Sequence, residues 1–259
     1  MSYVLLEAKC VSKFFGGLQA IGDVSFAIDR GEIFSVIGPN GAGKTTLFNL
    51  ITAFLPPTQG EIILKGETIS GLKPYEVARR AVARTFQLTT LFEKNTVLDN
   101  LIIGQNATRQ MGVWQALLGG RRKRETEKKT LDQAHQLAEF IGLADEKDTL
   151  ASLLPQRAQK QLSIGVAYAS APELLLLDEP AGGVNNEEVG VLIDLISRIR
   201  DAGVTICLIE HKMSVVMNIS DRILALNFGK KLAEGTPAEV CRNEDVIKSY
   251  LGDEYAATC

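Results

Sequence analysis

Apolar positions along this chain alternate between two rhythms. Residues 32–38 form a short run rich in Ile, Val and Phe that leads into a glycine cluster, which predicts a strand and then a tight loop. In 44–54 the apolar residues recur at helical spacing, and Pro56-Pro57 stops that helix. Residues 60–69 predict a strand, a turn at Gly66 and a second extended piece. A helix is expected from about Pro74, a residue well placed in a first turn. Between about 100 and 150 the texture changes. The charge run 121–129, preceded by Gly119-Gly120, predicts a solvated loop running into a helix. That helix puts Leu131, Ala134, Leu137 or Ala138, and Ile141 on one face, with His135 beside it as a surface residue. The earlier rhythm resumes at 173–180, a continuous apolar run suited to a strand covered on both faces. A helix (187–203), a strand (204–210), a short helix, a strand (222–227) and a turn at Gly229 follow.

Strands alternating with helices imply an α/β fold with a largely parallel sheet. A chain of 259 residues suffices for one large domain of this kind. Composition narrows the partners. Hydrophobic residues make up 46% and charged residues 23%, the balance of an ordinary globular protein. A net charge of −3 lacks the basic excess of a general nucleic-acid binder, so no nucleic-acid partner is expected. Cys10, Cys207, Cys241 and Cys259 are scattered without metal-ligand spacing, and two histidines leave little for a zinc site; a reducing compartment is expected. The first residues lack the pattern of a signal peptide. No window approaches the roughly 18 consecutive apolar residues of a membrane span. Work at a membrane would require another chain to hold this one there.

The chemistry begins at Gly38-Pro39-Asn40-Gly41-Ala42-Gly43-Lys44-Thr45-Thr46, which satisfies P-loop spacing at Gly38, Gly43, Lys44 and Thr45. The glycines let successive backbone N–H groups curl toward an anion, and the following helix adds its positive end. Lys44 offers a cation to the outer phosphates and Thr45 a hydroxyl to Mg2+. A chance match in this length is on the order of one in a hundred at background residue frequencies, and the expected strand before and helix after also fit. The second component is Asp178-Glu179 at the end of an apolar strand, the edge where such sheets bind ligands. Asp178 is placed to hold Mg2+ through its water shell. Glu179 could orient and deprotonate an attacking water.

With both motifs in order, the chain resembles the ATP-binding subunits of ABC transporters over essentially its full length. Phe15, just before Gly16-Gly17, matches the family's adenine-stacking position. Gln87 matches the Gln that links Mg2+ and the attacking water to the membrane subunit, and His211 the switch histidine that contacts the γ-phosphate. Residues 179–185 occupy the place of the loop that crosses the dimer interface and end at Asn185. Within the superfamily the chain is most similar to the ATPases of branched-chain amino acid importers. The pointers are residues 82–105, the basic insertion after them, 209–213, 219–223, the C-terminal 235–252, and Ala181, Gly182, Gly183 and Asn185. The ATPase of lipopolysaccharide export shares the C-terminal pattern and stays in view; the long insertion and Glu210-His211-Lys212-Met213 argue against it.

The resemblance implies one ABC ATPase domain over 1–259, a P-loop NTPase with a mainly parallel core sheet, a small antiparallel β subdomain and an inserted helical subdomain. Residues 1–88 and 171–259 would form the nucleotide-binding core with the β subdomain, and 89–170 the helical insertion. Its cofactors would be ATP and Mg2+, the metal held by Thr45, Gln87 and Asp178. The implied partners are hydrophobic membrane permease subunits, a second ABC ATPase subunit and an extracytoplasmic solute-binding protein. The implied location is the cytoplasmic face of the inner membrane. The solute, a branched-chain amino acid or a related small polar molecule, is recognised in such systems by other chains.

One segment departs from the family. The signature Leu-Ser-Gly-Gly-Gln should lie about twenty residues before the acidic strand, and there this chain offers Leu154, Pro155, Gln156, Arg157 and Ala158. In the family that motif contacts the γ-phosphate held by the opposite subunit. Pro155 has neither hydroxyl nor N–H. Arg157 puts a bulky side chain where close backbone approach was wanted. Three readings stay open: the signature has decayed and one composite site is slow or non-hydrolytic; Arg157 reaches the partner's phosphate in place of the lost contacts, beside a helix starting near Gln159; or the segment is misaligned or its variation has no consequence. Because the defect acts in trans, a heterodimer with weak activity from this chain alone is expected. An ATP-binding regulatory subunit without turnover is the alternative of a different class.

Overall fold

The computed structural model describes residues 3–85, 91–106 and 121–251. Gln87 lies outside the described residues. Three short strands, β3 (Ile33–Ile37), β7 (Leu174–Asp178) and β8 (Thr205–Ile209), are buried at every position. Strands without a polar face must be covered on both sides, and they sit side by side in a six-stranded sheet. Its order is β10-β9-β3-β8-β7-β6, where β6 is Val82–Arg84, β9 is Arg222–Asn227 and β10 is Lys230–Gly235. All neighbours run parallel except β10, which folds back antiparallel on β9 after the turn at Gly229. A second sheet, ordered β2-β1-β4-β5, is antiparallel throughout. It consists of the twelve-residue hairpin strands β1 (Val4–Phe15) and β2 (Leu18–Asp29), then β4 (Gln59–Leu64) and β5 (Glu67–Thr68).

Period-two alternation divides the core between the faces of the parallel sheet. Phe34, Val36, Leu174, Leu176, Cys207 and Ile209 face the antiparallel sheet and helix α1 (Lys44–Ile51). Ile33, Leu175, Leu177, Ile206 and Leu208 face the other helices, including α3 (Val97–Asn106), α4 (Arg121–Phe140), α5 (Gln156–Tyr168) and α6 (Asn186–Asp201). Burying each such Leu or Ile side chain is worth about 1.5–3 kcal/mol. The turn into α7 (Met213–Ile219) closes a smaller cluster of Ile37, Met213, Val216, Ile223 and Val246.

Several elements depart from the sequence expectation. The helix from Pro74, α2, ends at Ala78, and residues 82–84 instead add β6 to the open edge of β7. Ala81, at φ 63°, turns the chain between the two. The run 121–129 is helical from Arg121, not a loop, since Glu125 and Lys129 stand four apart in a mixed-charge pattern that supports a solvated helix. On its far half Ala134 and Ala138 are buried, as is Ile141 just past its end, whereas Leu131 stays exposed and His135 is half-buried. Helix α1 stops at Ile51, before the expected 54, where Thr52 turns its hydroxyl back to the Phe48 carbonyl oxygen at 2.7 Å.

Candidate active site

The parallel strands deliver the site at their C-terminal ends. β3 runs into residues 38–43, and α1 starts from Gly43. Gly38 has φ 154°, and a Cβ there would meet the Leu226 carbonyl oxygen at 2.3 Å. Gly43 has φ 101°, and a Cβ there would meet the Ala20 carbonyl oxygen at 2.6 Å. Only glycine fits either place, because the loop packs directly on two other backbones. The β9–β10 turn ties it down: Gly229 N–H donates to Ala42 at 3.0 Å, and Gly22 N–H donates to Gly229 at 2.8 Å. Pro39 is half-buried, Asn40 and Gly41 are exposed, and Ala42 is buried.

Lys44 is buried, and its Nζ donates to the carbonyl oxygens of Gly38 at 2.6 Å and Pro39 at 3.0 Å. Burial pulls its pKa below the usual lysine value of 10.5, partly offset by the negative charges of Glu179 and Asp178. The ammonium is thus held over the cradle, ready for exchange onto an anion. Thr45 is exposed at the start of α1 and Thr46 half-buried. Phe15 ends β1, paired with Leu18 across the hairpin tip and 46% exposed, with Lys13 Nζ 5.4 Å from its ring centre.

Asp178 ends β7, 4% exposed, and accepts from Arg84 Nη2 at 2.8 Å. Sequence reasoning missed Arg84. It ends β6, also bonds Asn49 Oδ1 on α1 at 2.6 Å, and lies over the Phe48 ring. No sequence signal pointed to it, because the three-residue strand that places it carries no periodicity. Glu179 adopts φ 50°, a left-handed conformation that a non-glycine residue takes at a cost on the order of 1 kcal/mol. Two bonds hold it: its N–H to Ile209 at 2.9 Å, and its carbonyl oxygen from Gly182 N–H at 3.0 Å. Its Oε1 lies 3.1 Å from His211 Nε2. Lys160 on α5 also donates to the Glu179 carbonyl oxygen at 3.2 Å. Burial lowers the Lys160 pKa, opposed by Glu210, Glu179 and Asp178. Lys44, the adjacent Asp178 and Glu179, and His211, from three distant parts of the sequence, thus meet at one sheet edge.

The segment 154–158 enters its helix earlier than expected. Pro155 is the N-cap, α5 begins at Gln156 and not near Gln159, and Arg157 and Ala158 occupy its first turn. Gln159 Nε2 stabilises this start by donating to the Leu154 carbonyl oxygen at 3.0 Å. Leu154 and Ala158 are buried, while Pro155 and Gln156 are exposed. Arg157 is engaged within its own chain, Nη1 to Gln161 Oε1 at 3.0 Å and Nε to Glu188 Oε1 at 3.3 Å. Gln156 lies against Gly183, where a Cβ would meet its Nε2 at 2.1 Å.

A strand–cradle–helix unit, with a carboxylate pair on a parallel strand one place removed, defines a P-loop nucleotide hydrolase. A model of the ABC transporter family matches residues 21–182, and the chain belongs to that family. It is therefore an ATP-binding cassette, the ATPase part of a transporter. A model described as Branched-chain amino acid ATP-binding cassette transporter matches residues 230–256. The chain is 43% identical over 254 residues to the High-affinity branched-chain amino acid transport ATP-binding protein LivG of Salmonella typhimurium, covering 98% of this chain and 100% of that one. With BraF of Pseudomonas aeruginosa, described in the same words, identity is 40% over the same shares. The ADP conformation of an ATP-binding cassette superposes with a TM-score of 0.84 at 27% identity, covering 97% of this chain and 100% of that one. A nucleotide-free cassette gives 0.80 at 28%, covering 99% and 98%. Among the described residues no helix is long and apolar enough to cross a membrane.

Proposed function

We propose that this chain binds and hydrolyses ATP to drive uptake of branched-chain amino acids, or a closely related small polar solute, through hydrophobic permease subunits at the cytoplasmic face of the membrane. The carrying observation is the meeting of Lys44, Asp178, Glu179 and His211 at one sheet edge, in a chain similar along its length to branched-chain amino acid ATPases. In this reading Lys44 and the amides of 38–45 hold the phosphates, and Phe15 stacks on the base. Glu179 orients and deprotonates the attacking water, and His211 holds Glu179 and meets the γ-phosphate. The donors that would hold Mg2+ suit a hard cation: the Thr45 hydroxyl and the carboxylate of Asp178, whose Oδ2 also accepts from Arg84. Gln87 would complete that set. Bound Mg2+ supplies charge neutralisation across the phosphates.

The partners proposed are the permease, a solute-binding protein outside the membrane, and a second ATPase subunit, with a heterodimer favoured. The favouring observation is the segment 154–158, where Pro155 caps a helix and Arg157 is paired with Glu188. For Arg157 to serve the partner's phosphate it must exchange Glu188 for that anion; under decay of the signature the composite site it faces is slow. The match of 230–256 to a branched-chain amino acid model favours this reading over a lipopolysaccharide-export role. ATPase assays of this chain, of the ATPase encoded beside it, and of their mixture test the pairing; full activity from this chain alone overturns the heterodimer. A single-turnover assay in which no ADP and phosphate form would leave only the regulatory alternative. Ligand-induced melting shifts of the neighbouring binding protein identify the solute.

A further inference from the structure

His211 stands between two residues that both grip residues 181–184. β7 and β8 are parallel neighbours with Asp178 opposite Ile209, so Glu179 and Glu210 leave the sheet side by side. Glu210 is 1% exposed, and its carboxylate accepts three backbone N–H groups. Oε1 takes Ala181 at 2.8 Å; Oε2 takes His211 at 2.7 Å and Lys212 at 3.1 Å. On the other side of the histidine, Lys212 Nζ donates to the Val184 carbonyl oxygen at 2.7 Å. Hydrogen bonds to a buried charge are among the strong ones, and breaking one leaves a buried group unsatisfied. The loop continues to Gly183, against which Gln156 of the altered segment is packed.

We propose that Glu210 and Lys212 are positioning residues that join the histidine turn and residues 181–184 into one unit. Phosphate contact at His211 is then carried through Glu210 to Ala181 and on to Gly183 and Gln156. The state of the chain's own nucleotide is thereby imposed on the segment that faces its partner. A second route runs from His211 Nε2 to Glu179 Oε1 and from the Glu179 carbonyl oxygen to Gly182 N–H; substitutions at Glu210 and Lys212 leave its partners in place and so separate the two. This inference rests on the reading of His211 as a γ-phosphate contact.

The test is amide hydrogen exchange on the full chain, at a concentration where gel filtration shows a monomer, with and without Mg2+ and ATPγS. In the wild type, nucleotide should slow exchange at residues 180–185 by about tenfold or more, besides slowing it at Lys44–Ile51. Glu210→Gln, which turns an amide NH2 toward backbone donors, should keep nucleotide affinity within about threefold and reduce the slowing at 180–185 below about twofold. Lys212→Met keeps the stem of the half-buried side chain and removes its donor; it should lose part of the effect, so the question stands even if Glu210→Gln folds poorly. A wild-type loop that ignores nucleotide while 44–51 responds overturns the proposal, as do both variants behaving like wild type. Absence of slowing at 44–51 together with no ATPγS binding would instead overturn the functional reading beneath it.

Discussion

At residues 38–43 the backbone itself is the contact surface, whereas at 154–158 side chains occupy the place where backbone was expected. The first region depends on two glycines pressed against the carbonyl oxygens of Leu226 and Ala20. The second depends on a proline that caps a helix and an arginine paired with Glu188. The difference teaches that, in the proposed composite site, two ends of one chain are built differently: one on backbone, the other on side chains paired within the chain. In that proposal the machinery for the chain's own nucleotide stays whole while the part offered to the partner changes chemistry, because each would act on a different nucleotide.

The largest effect that sharpens this contrast is expected from Glu179→Gln. Turnover in the assembled complex should fall roughly a hundredfold to ten-thousandfold with nucleotide binding retained, as measured by steady-state hydrolysis and equilibrium binding. Preserved turnover would mean that the intact end is not the catalytic one. Arg84→Ala removes one partner of a pair that is 5% and 4% exposed. It should cost about 3–5 kcal/mol of stability, read as a drop in Tm on the order of 10 °C. Gly43→Ala should weaken nucleotide binding in a titration and cost about 1–3 kcal/mol for strain alone, since φ 101° and the Ala20 carbonyl oxygen both oppose it. Arg157→Ala separates the readings of the altered end. If its charge-assisted bonds serve the partner's phosphate, activity of the mixed complex drops roughly tenfold to a hundredfold; under decay it stays within about twofold.

The smallest effect concerns pH. The Lys44 pKa is depressed by burial, so the folded state sheds that proton at a lower pH than a free lysine does. Between its lowered pKa and 10.5 the unfolded state binds more protons, and this group's contribution to stability rises with pH across that window. Phosphate affinity moves the other way, falling as Lys44 neutralises. Nucleotide binding in the alkaline range should therefore take up protons, seen as a buffer-dependent heat in titration calorimetry.

Much of this was legible along the chain. The strands at 33–37, 174–178 and 205–209 announce themselves because double coverage demands uninterrupted apolar runs. The cradle is legible because a backbone that must turn left-handed and approach an anion admits few residues. β6 was not legible: three residues carry no periodicity, and they extend only because β7 offers an open edge. Nor was the helix start at Gln156, which depends on the Gln159 side chain reaching Leu154. Glu210 resembled any acid at a strand end, and Arg84 any arginine.

Taken alone, the order of residues determined which chemical groups exist and which backbone they can tolerate: the glycines of the cradle, Lys44, Asp178-Glu179, His211 and the missing signature glycines. The tertiary structure alone decided what those groups hold. That Asp178 meets Arg84, that Glu179 meets His211, and that Glu210 collects Ala181 with His211 follow from the order of parallel strands, which brings β3, β6, β7 and β8 together at one edge. Local pattern specifies a strand through its own side chains, whereas the neighbour at its end is chosen by the whole sheet.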